Sequence, residues 1–193
     1  MLFDVGDVLI SLRGWGEILP QDALARVTPT LVDEFLSSDT MIGWETGRTD
    51  ELEFFEATRE FFSLDLNQEE FRALYLRRLG EAVGGMYDVV RRLKEMGVRV
   101  AGLTDTSPLH LARLPSYPAV AELEPLLASC EIGRVKPDVE TFEFVVERLG
   151  IPAGDIFFTD DREENVAGAR RAGLRAEVFR GADACRRQVG LEG

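Results

Sequence analysis

The sequence predicts an α/β fold, a parallel Rossmann-like sheet with helices on both faces and a small helical bundle inserted after the first strand. Three observations lead there. Short apolar runs recur, and most are followed by a stretch whose apolar residues have helical spacing. Acidic, hydroxyl and lysine side chains fall directly after those runs. One long segment, residues 14–84, carries aromatics at helical spacing and no strand pattern. Alternation of strand and helix is the signature of a parallel sheet whose connections cross over its faces.

In chain order, residues 1–5 are apolar and stop at Gly6, giving a first strand. Only three residues precede Asp4, fewer than the ~5–6 of an average strand, so this strand is expected to be clipped at its start. In the insertion, Leu31, Val32, Phe35 and Leu36 form one apolar stripe, and Phe54, Phe55, Phe61, Phe62, Phe71 and Tyr75 form another. Both read as the bundle's core, with Trp15 a buried staple between its helices. Residues 87–96 then read as a helix, 98–103 as a buried strand ending at Thr104, and 127–132 as a weaker strand before Gly133. Residues 137–149 give a helix, 155–159 a strand ending at Asp160, 165–172 a helix and 175–179 a last strand. Gly97 and Gly150 stand where helices favour a C-terminal glycine. The expected division is 1–13 with 85–193 as the α/β core, and 14–84 as the insertion.

With 22 Lys+Arg against 35 Asp+Glu, the net charge of −13 argues against nucleic acid or an anionic membrane as a partner, since both demand a basic footprint. Apolar runs fall far short of the ~20 residues of a membrane span. Residues 1–3 run straight to Asp4 with no basic and apolar leader; a reducing, cytoplasmic setting is the expected default from the cysteine usage. Two cysteines make no metal-ligand spacing or disulfide framework. Cys130, in an apolar neighbourhood, is expected in the core, and Cys185, in a polar tail, at the surface. The single histidine, His110, excludes zinc sites built on several histidines, and its helix-start context reads as structural.

In parallel α/β sheets ligands bind beyond the carboxyl ends of the strands. Here the four runs end in Asp4, then Thr104-Asp105-Thr106, then Lys136, then Asp160-Asp161. Any one alone is an ordinary turn or helix-capping residue. Four in register bring carboxylates, a hydroxyl and an ammonium to one edge. Lys136 adds a compositional hint: 20 of the 22 basic residues are Arg, so a lysine here suggests that a compact ammonium is required.

The segments Leu2-Phe3-Asp4-Val5-Gly6-Asp7-Val8-Leu9, Leu103-Thr104-Asp105-Thr106-Ser107-Pro108-Leu109-His110, Gly133-Arg134-Val135-Lys136-Pro137-Asp138 and Phe157-Phe158-Thr159-Asp160-Asp161-Arg162-Glu163-Glu164-Asn165 resemble the motifs of the haloacid dehalogenase (HAD) superfamily. The subgroup resembled has a small helical cap and includes sugar-phosphate phosphatases and the phosphatase domain of soluble epoxide hydrolase. Trp44-Glu45-Thr46-Gly47 is similar to part of that cap. The resemblance implies a phosphatase acting on a small phosphorylated metabolite, with Asp4 as nucleophile forming an aspartyl-phosphate. It implies Mg²⁺ held by Asp4, Asp161 and the backbone carbonyl of Gly6, an all-oxygen set that suits a small hard cation. Thr104 would hydrogen-bond the phosphoryl group, Lys136 would neutralise it, Asp160 would orient Lys136 and the metal's waters, and Asn165 would brace that loop.

Two positions depart from the pattern. Superfamily phosphatases carry a general acid/base Asp two residues after the nucleophile, where this chain has Gly6. Glycine can still offer a carbonyl to a metal, but loss of the acid/base typically costs ~10²–10⁴-fold in rate. Asp7 is one residue too far along, and its side chain is expected to point elsewhere. Asp105 replaces the usual Asn, and a carboxylate there repels phosphate unless it is protonated or turned away. The pattern is compatible with three readings: a phosphatase whose leaving group needs little protonation, or whose acid is water or Asp105; a weakened relative that binds a phosphorylated ligand or a partner; and a metal-independent 2-haloacid dehalogenase.

Overall fold

The computed structural model describes residues 1–191. Its centre is a five-stranded parallel sheet built from β1 (Leu2–Phe3), β4 (Ala101–Thr104), β5 (Leu126–Ala128), β6 (Phe157–Asp160) and β7 (Arg175–Val178), in the order β5-β4-β1-β6-β7. A separate antiparallel pair joins β2 (Ile10–Leu12) to β3 (Leu79–Ala82). Between that pair lie six helices: α1 (Trp15–Ile18), α2 (Gln21–Leu24), α3 (Pro29–Leu36), α4 (Asp39–Glu45), α5 (Glu51–Phe61) and α6 (Gln68–Leu76). The core helices are α7 (Met86–Glu95), the short α8 (Pro108–Leu111), α9 (Pro118–Ala121) and α10 (Ser129–Ile132), then α11 (Val139–Leu149), α12 (Glu163–Arg171) and α13 (Ala182–Gln188).

The central strand is short, but its two residues show why the sheet is buried on both faces. Successive side chains of a strand point to opposite sides. Phe3 joins the cluster of Val89, Val90, Leu93 and Cys185 from α7 and α13, whereas Leu2 joins Phe142, Val145, Phe158 and Val166 under α11 and α12. The helices therefore flank both faces, as the alternating pattern predicts. No described helix is long and apolar enough to cross a membrane.

The inserted helices have their own core. Trp15, Phe35, Trp44, Phe54, Phe71 and Tyr75 are buried together, and Trp44 stacks on Phe54 with ring centroids 4.8 Å apart. Trp15 is the staple the sequence suggests, against Phe35 and Phe62 at 5.2 and 5.3 Å. Leu36 and Phe61, expected in this core, are exposed. Local sequence fixes the helix starts. Asp50 and Glu53 satisfy each other's backbone N–H groups at α5 (2.9 and 3.2 Å), and Asn67 and Glu70 do so at α6 (3.0 and 2.9 Å).

Three expectations need correction. Residues 14–84 do contain one strand, β3, which pairs with β2 just outside the segment; its Leu-Gly-Glu-Ala sequence has no alternation, and backbone pairing with β2 supplies what pattern lacks. Residues 127–132 are not one strand: the chain leaves the sheet after Ala128 and forms α10, which Gly133 ends in a left-handed conformation at φ 68°. The cysteines are also reversed. Cys185 is buried beneath α13 and Cys130 is only partly buried, because Ala182, Cys185 and Val189 share the inner face of that helix.

Gly47 sets how closely the insertion approaches the core. It adopts φ 71°, and a Cβ there would stand 2.3 Å from the Cys130 carbonyl oxygen. Replacing Gly47 by Ala is expected to cost about 2 kcal/mol or more, a fall in Tm of roughly 4–8 °C, read by thermal unfolding. An unchanged Tm would mean that this contact is easily relaxed.

Candidate active site

The sheet order places the site. β1 lies between β4 and β6, so the residues at their carboxyl ends (Asp4 just beyond β1, Thr104 closing β4 and Asp160 closing β6) become neighbours at one edge. The Asp4 backbone N–H donates to the Thr159 carbonyl at 3.0 Å, holding the first loop against the fourth. Chain order reverses direction across β1, the switch point at which open α/β sheets form ligand crevices.

Lys136 reaches this edge from the loop after α10. Its ammonium donates to Asp4 Oδ1 at 2.5 Å, to Asp160 Oδ2 at 2.8 Å and to the Leu103 carbonyl at 3.4 Å, with only 2% of the side chain exposed. Asp160 is saturated: Oδ1 accepts from the Arg162 backbone N–H at 2.9 Å, and Asn165 Nδ2 lies 3.0 Å from both oxygens. Asp105 is turned toward the backbone N–H of Lys136, with its oxygens 3.1 and 3.3 Å away. The carboxylate that threatened to repel an anion is thereby used to position Lys136.

One carboxyl oxygen from each of Asp4, Asp160 and Asp161 lies within 4.8 Å of the others. Charge counting says what this arrangement needs. One ammonium faces Asp4, Asp105 and Asp160, with Asp161 beside them. Burial alone lowers the pKa of Lys136, but the surrounding carboxylates hold the ammonium well above its ordinary value. The excess appears on the acids. Burial pushes Asp4 up to about 7 against the pull of Lys136, with Asp160 adding to the rise. Asp161 is also raised, by burial and then by Asp160 and Asp7. Such a cluster is short of positive charge, and its donors are all oxygen, which fits a divalent hard cation. Because Asp160 already accepts three donors, Asp4 and Asp161 are the carboxylates with oxygens to spare. Among the described residues no backbone N–H donates to the Gly6 carbonyl.

Gly6 itself is crowded. A Cβ added there would stand 2.7 Å from Leu12 Cδ1, so an apolar side chain from β2 fills the space into which an acid/base side chain would grow. Asp7, at φ 52°, points its Oδ1 to the Leu12 backbone N–H at 2.8 Å and so turns away from Asp4, as expected.

Between the helices of residues 14–84 and the strand ends lies a cavity of about 50 Å³ lined by Gly6, Glu45, Tyr75, Arg78, Thr104 and Asp105, among others. Ser129 ties its roof to its floor. The hydroxyl donates to the Glu45 carbonyl at 2.6 Å and accepts from the Thr106 N–H at 2.8 Å. His110 makes a second tie, its Nε2 lying 3.1 Å from the Tyr75 carbonyl and its ring stacking on Tyr75 at 4.3 Å. Burial lowers His110 to about 4, so the imidazole is neutral near pH 7 and its role here is structural. Nothing in the sequence pattern singles out Arg78 or Ser129, and Glu45 enters only within the segment that resembles the cap. Their importance comes from docking the insertion onto the core, which no local pattern reports.

Comparison with known proteins agrees with this architecture. The family model of haloacid dehalogenase-like hydrolases matches residues 1–173. Sesquiterpene phosphatase astK of Aspergillus oryzae is 25% identical over 176 residues, spanning 90% of this chain and 85% of its own length. Drimenol cyclase drtB of Aspergillus calidoustus is 24% identical over 193 residues, but the chain spans only 35% of its length. A HAD family enzyme from Bacteroides thetaiotaomicron superimposes with a TM-score of 0.83 at 22% identity, covering 97% of this chain and 96% of its own. The same enzyme is known in complex with magnesium and inorganic phosphate. With its parallel sheet, its motif order and a match over residues 1–173, this chain belongs to the haloacid dehalogenase-like hydrolases.

Proposed function

We propose that the chain is a Mg²⁺-dependent phosphatase of a small phosphorylated metabolite, working through an aspartyl-phosphate on Asp4, with residues 14–84 acting as a cap over the site. The observation that carries this reading is the Lys136 bridge between Asp4 and Asp160, with Asp161 close enough to share one cation. Asp4 and Asp161 would hold the ion through carboxylate oxygens, and Gly6 through its backbone carbonyl. When bound, the ion neutralises charge on the phosphoryl oxygens and on the acids around it.

In the first half-reaction an Asp4 oxygen attacks phosphorus, the new O–P bond forms, and the bond to the leaving oxygen breaks. Thr104, at the end of β4, donates a hydrogen bond to a phosphoryl oxygen, and Lys136 offsets the negative charge. Asp160, fixed by Asn165 and Arg162, aims the ammonium, and Asp105 fixes its backbone. In the second half-reaction water attacks the same phosphorus and Asp4 leaves as a carboxylate. The phosphatase relative and the magnesium and phosphate complex of the similar structure support this reading.

Leu12 shapes the chemistry. With no acid at residue 6, leaving groups that depart without a full proton are favoured, such as aryl or anomeric sugar phosphates. The same filled space favours a second reading, a weakened relative that binds phosphorylated ligands with slow turnover. A 2-haloacid dehalogenase needs no cation, and the clustered Asp160 and Asp161 carboxylates speak against it.

Gly6→Asp alone is expected to recover part of the rate, because its side chain has only the tip of the exposed Leu12 side chain to displace. Gly6→Asp with Leu12→Ala is expected to raise the rate on alkyl phosphates by ~10²-fold, measured against an aryl phosphate whose rate changes far less. Equal gains on both esters, or none in the double variant, would refute an acid/base vacancy at residue 6. For wild type, phosphate release from an aryl phosphate is expected to require Mg²⁺ and stop with a chelator; halide release from a 2-haloacid without metal would reverse the reading.

A further inference from the structure

Arg78 lies between α6 and β3 and lines the cavity beside Gly6 and Thr104. Its Nε and Nη1 are buried and have no hydrogen-bond partner. Among the described arginines Arg78 alone has buried nitrogens without a hydrogen-bond partner. Arg72, Arg162, Arg170 and Arg186 each pair with a carboxylate, and none of the described ion pairs includes Arg78. The guanidinium is nonetheless fixed, with its Cζ 5.1 Å from the centre of the Trp15 ring. Buried N–H groups are nearly always satisfied, and a charged group without a partner in a cavity is a site awaiting an anion.

We propose that Arg78 determines specificity by receiving a carboxylate carried on the leaving group of the substrate, which makes the preferred substrate a phosphorylated small acid whose bridging oxygen departs without a full proton. This rests on the phosphatase reading above and names its substrate class. A carboxylate is chosen because the cavity is small, about 50 Å³, and a guanidinium satisfies carboxylate oxygens with charge-assisted hydrogen bonds. Glu45 shares the cavity. Burial, and then Asp105, push its carboxyl up to about 7 against the opposing pull of Arg78, Arg162 and Lys136. A protonated Glu45 offers a donor to the incoming carboxylate in place of a repelling charge.

The test is calorimetric binding of non-hydrolysable probes to the full chain with Mg²⁺, comparing ethylphosphonate with phosphonoacetate and 3-phosphonopropionate. Wild type is expected to bind at least one carboxylated probe roughly 10- to 100-fold more tightly than ethylphosphonate. Arg78→Gln should erase that advantage while leaving ethylphosphonate affinity within about 2-fold, and Arg78→Lys should retain part of it. Circular dichroism and the Tm show whether each variant is folded, and the lysine variant, which keeps the charge over Trp15, carries the test if the glutamine variant is not. Equal affinity of wild type for all three probes overturns the proposal, as does equal weakening of all three in the folded variants, which would put Arg78 on the phosphonate itself. Hydrolysis of an aryl phosphate tells the two failures apart. If it proceeds, only the Arg78 assignment falls; if it is absent and no phosphonate binds, the phosphatase reading falls and takes this one with it.

Discussion

Replacing Lys136 by Ala is expected to abolish detectable phosphate release and to destabilise the fold by about 3–5 kcal/mol at pH 8, because it leaves Asp4 and Asp160 buried without their shared ammonium. The two effects have one cause. The ammonium is the shared ion-pair partner of two buried carboxylates, and in the proposed reaction the same charge offsets an arriving phosphate. The pH dependence has a definite sign. Burial already raises Asp4 above its unfolded value, and losing the Lys136 ammonium removes the main opposing pull, so the variant is most stable below the unfolded carboxylate range and loses stability as pH rises through the folded Asp4 value. Urea unfolding at pH 5 and pH 8 measures this, and the variant should be closer to wild type at pH 5. A variant equally destabilised at both pH values would show that Lys136 contributes packing and not charge.

Asp4→Asn should separate the two quantities. Turnover is expected to fall by on the order of 10⁴-fold or more, since the amide is no nucleophile. Stability in the absence of metal is expected to hold or rise. Burial holds Asp4 up at about 7, well above its unfolded value, so its contribution is fully present below the unfolded pKa and is lost as pH rises through about 7. An isosteric amide avoids that loss. Opposite stability signs for the Asp4 and Lys136 variants, with the same loss of activity, are a fingerprint of a carboxylate cluster that is short of cations.

Much of the site is legible in the sequence because its chemistry is attached to strand ends. Asp4, Thr104 and Asp160 fall just where strands stop, and the parallel sheet brings those stops together, whereas Lys136 arrives from the loop after α10. The architecture comes from the same alternation. The features that escape the sequence are made by tertiary contact. β3 is held by its partner strand and has no pattern of its own. Arg78 follows Arg77 in a stretch with no distinguishing pattern, and its buried nitrogens are seen only in the folded chain. Ser129 is hidden when residues 127–132 are read as a strand. Cys185 is within reach of sequence reasoning, because Ala182, Cys185 and Val189 recur at the spacing of one helix face, but the surrounding charges obscure it.

The most direct measurement is to quench the enzyme in acid during turnover of an aryl phosphate with Mg²⁺, reduce with borohydride and map the product by mass spectrometry. The peptide ending at Arg13 should carry reduced Asp4, the trace of an acyl phosphate, and should not carry it when substrate is omitted. Turnover with Asp4 unmodified, or with the phosphoryl group on another residue, would contradict the account.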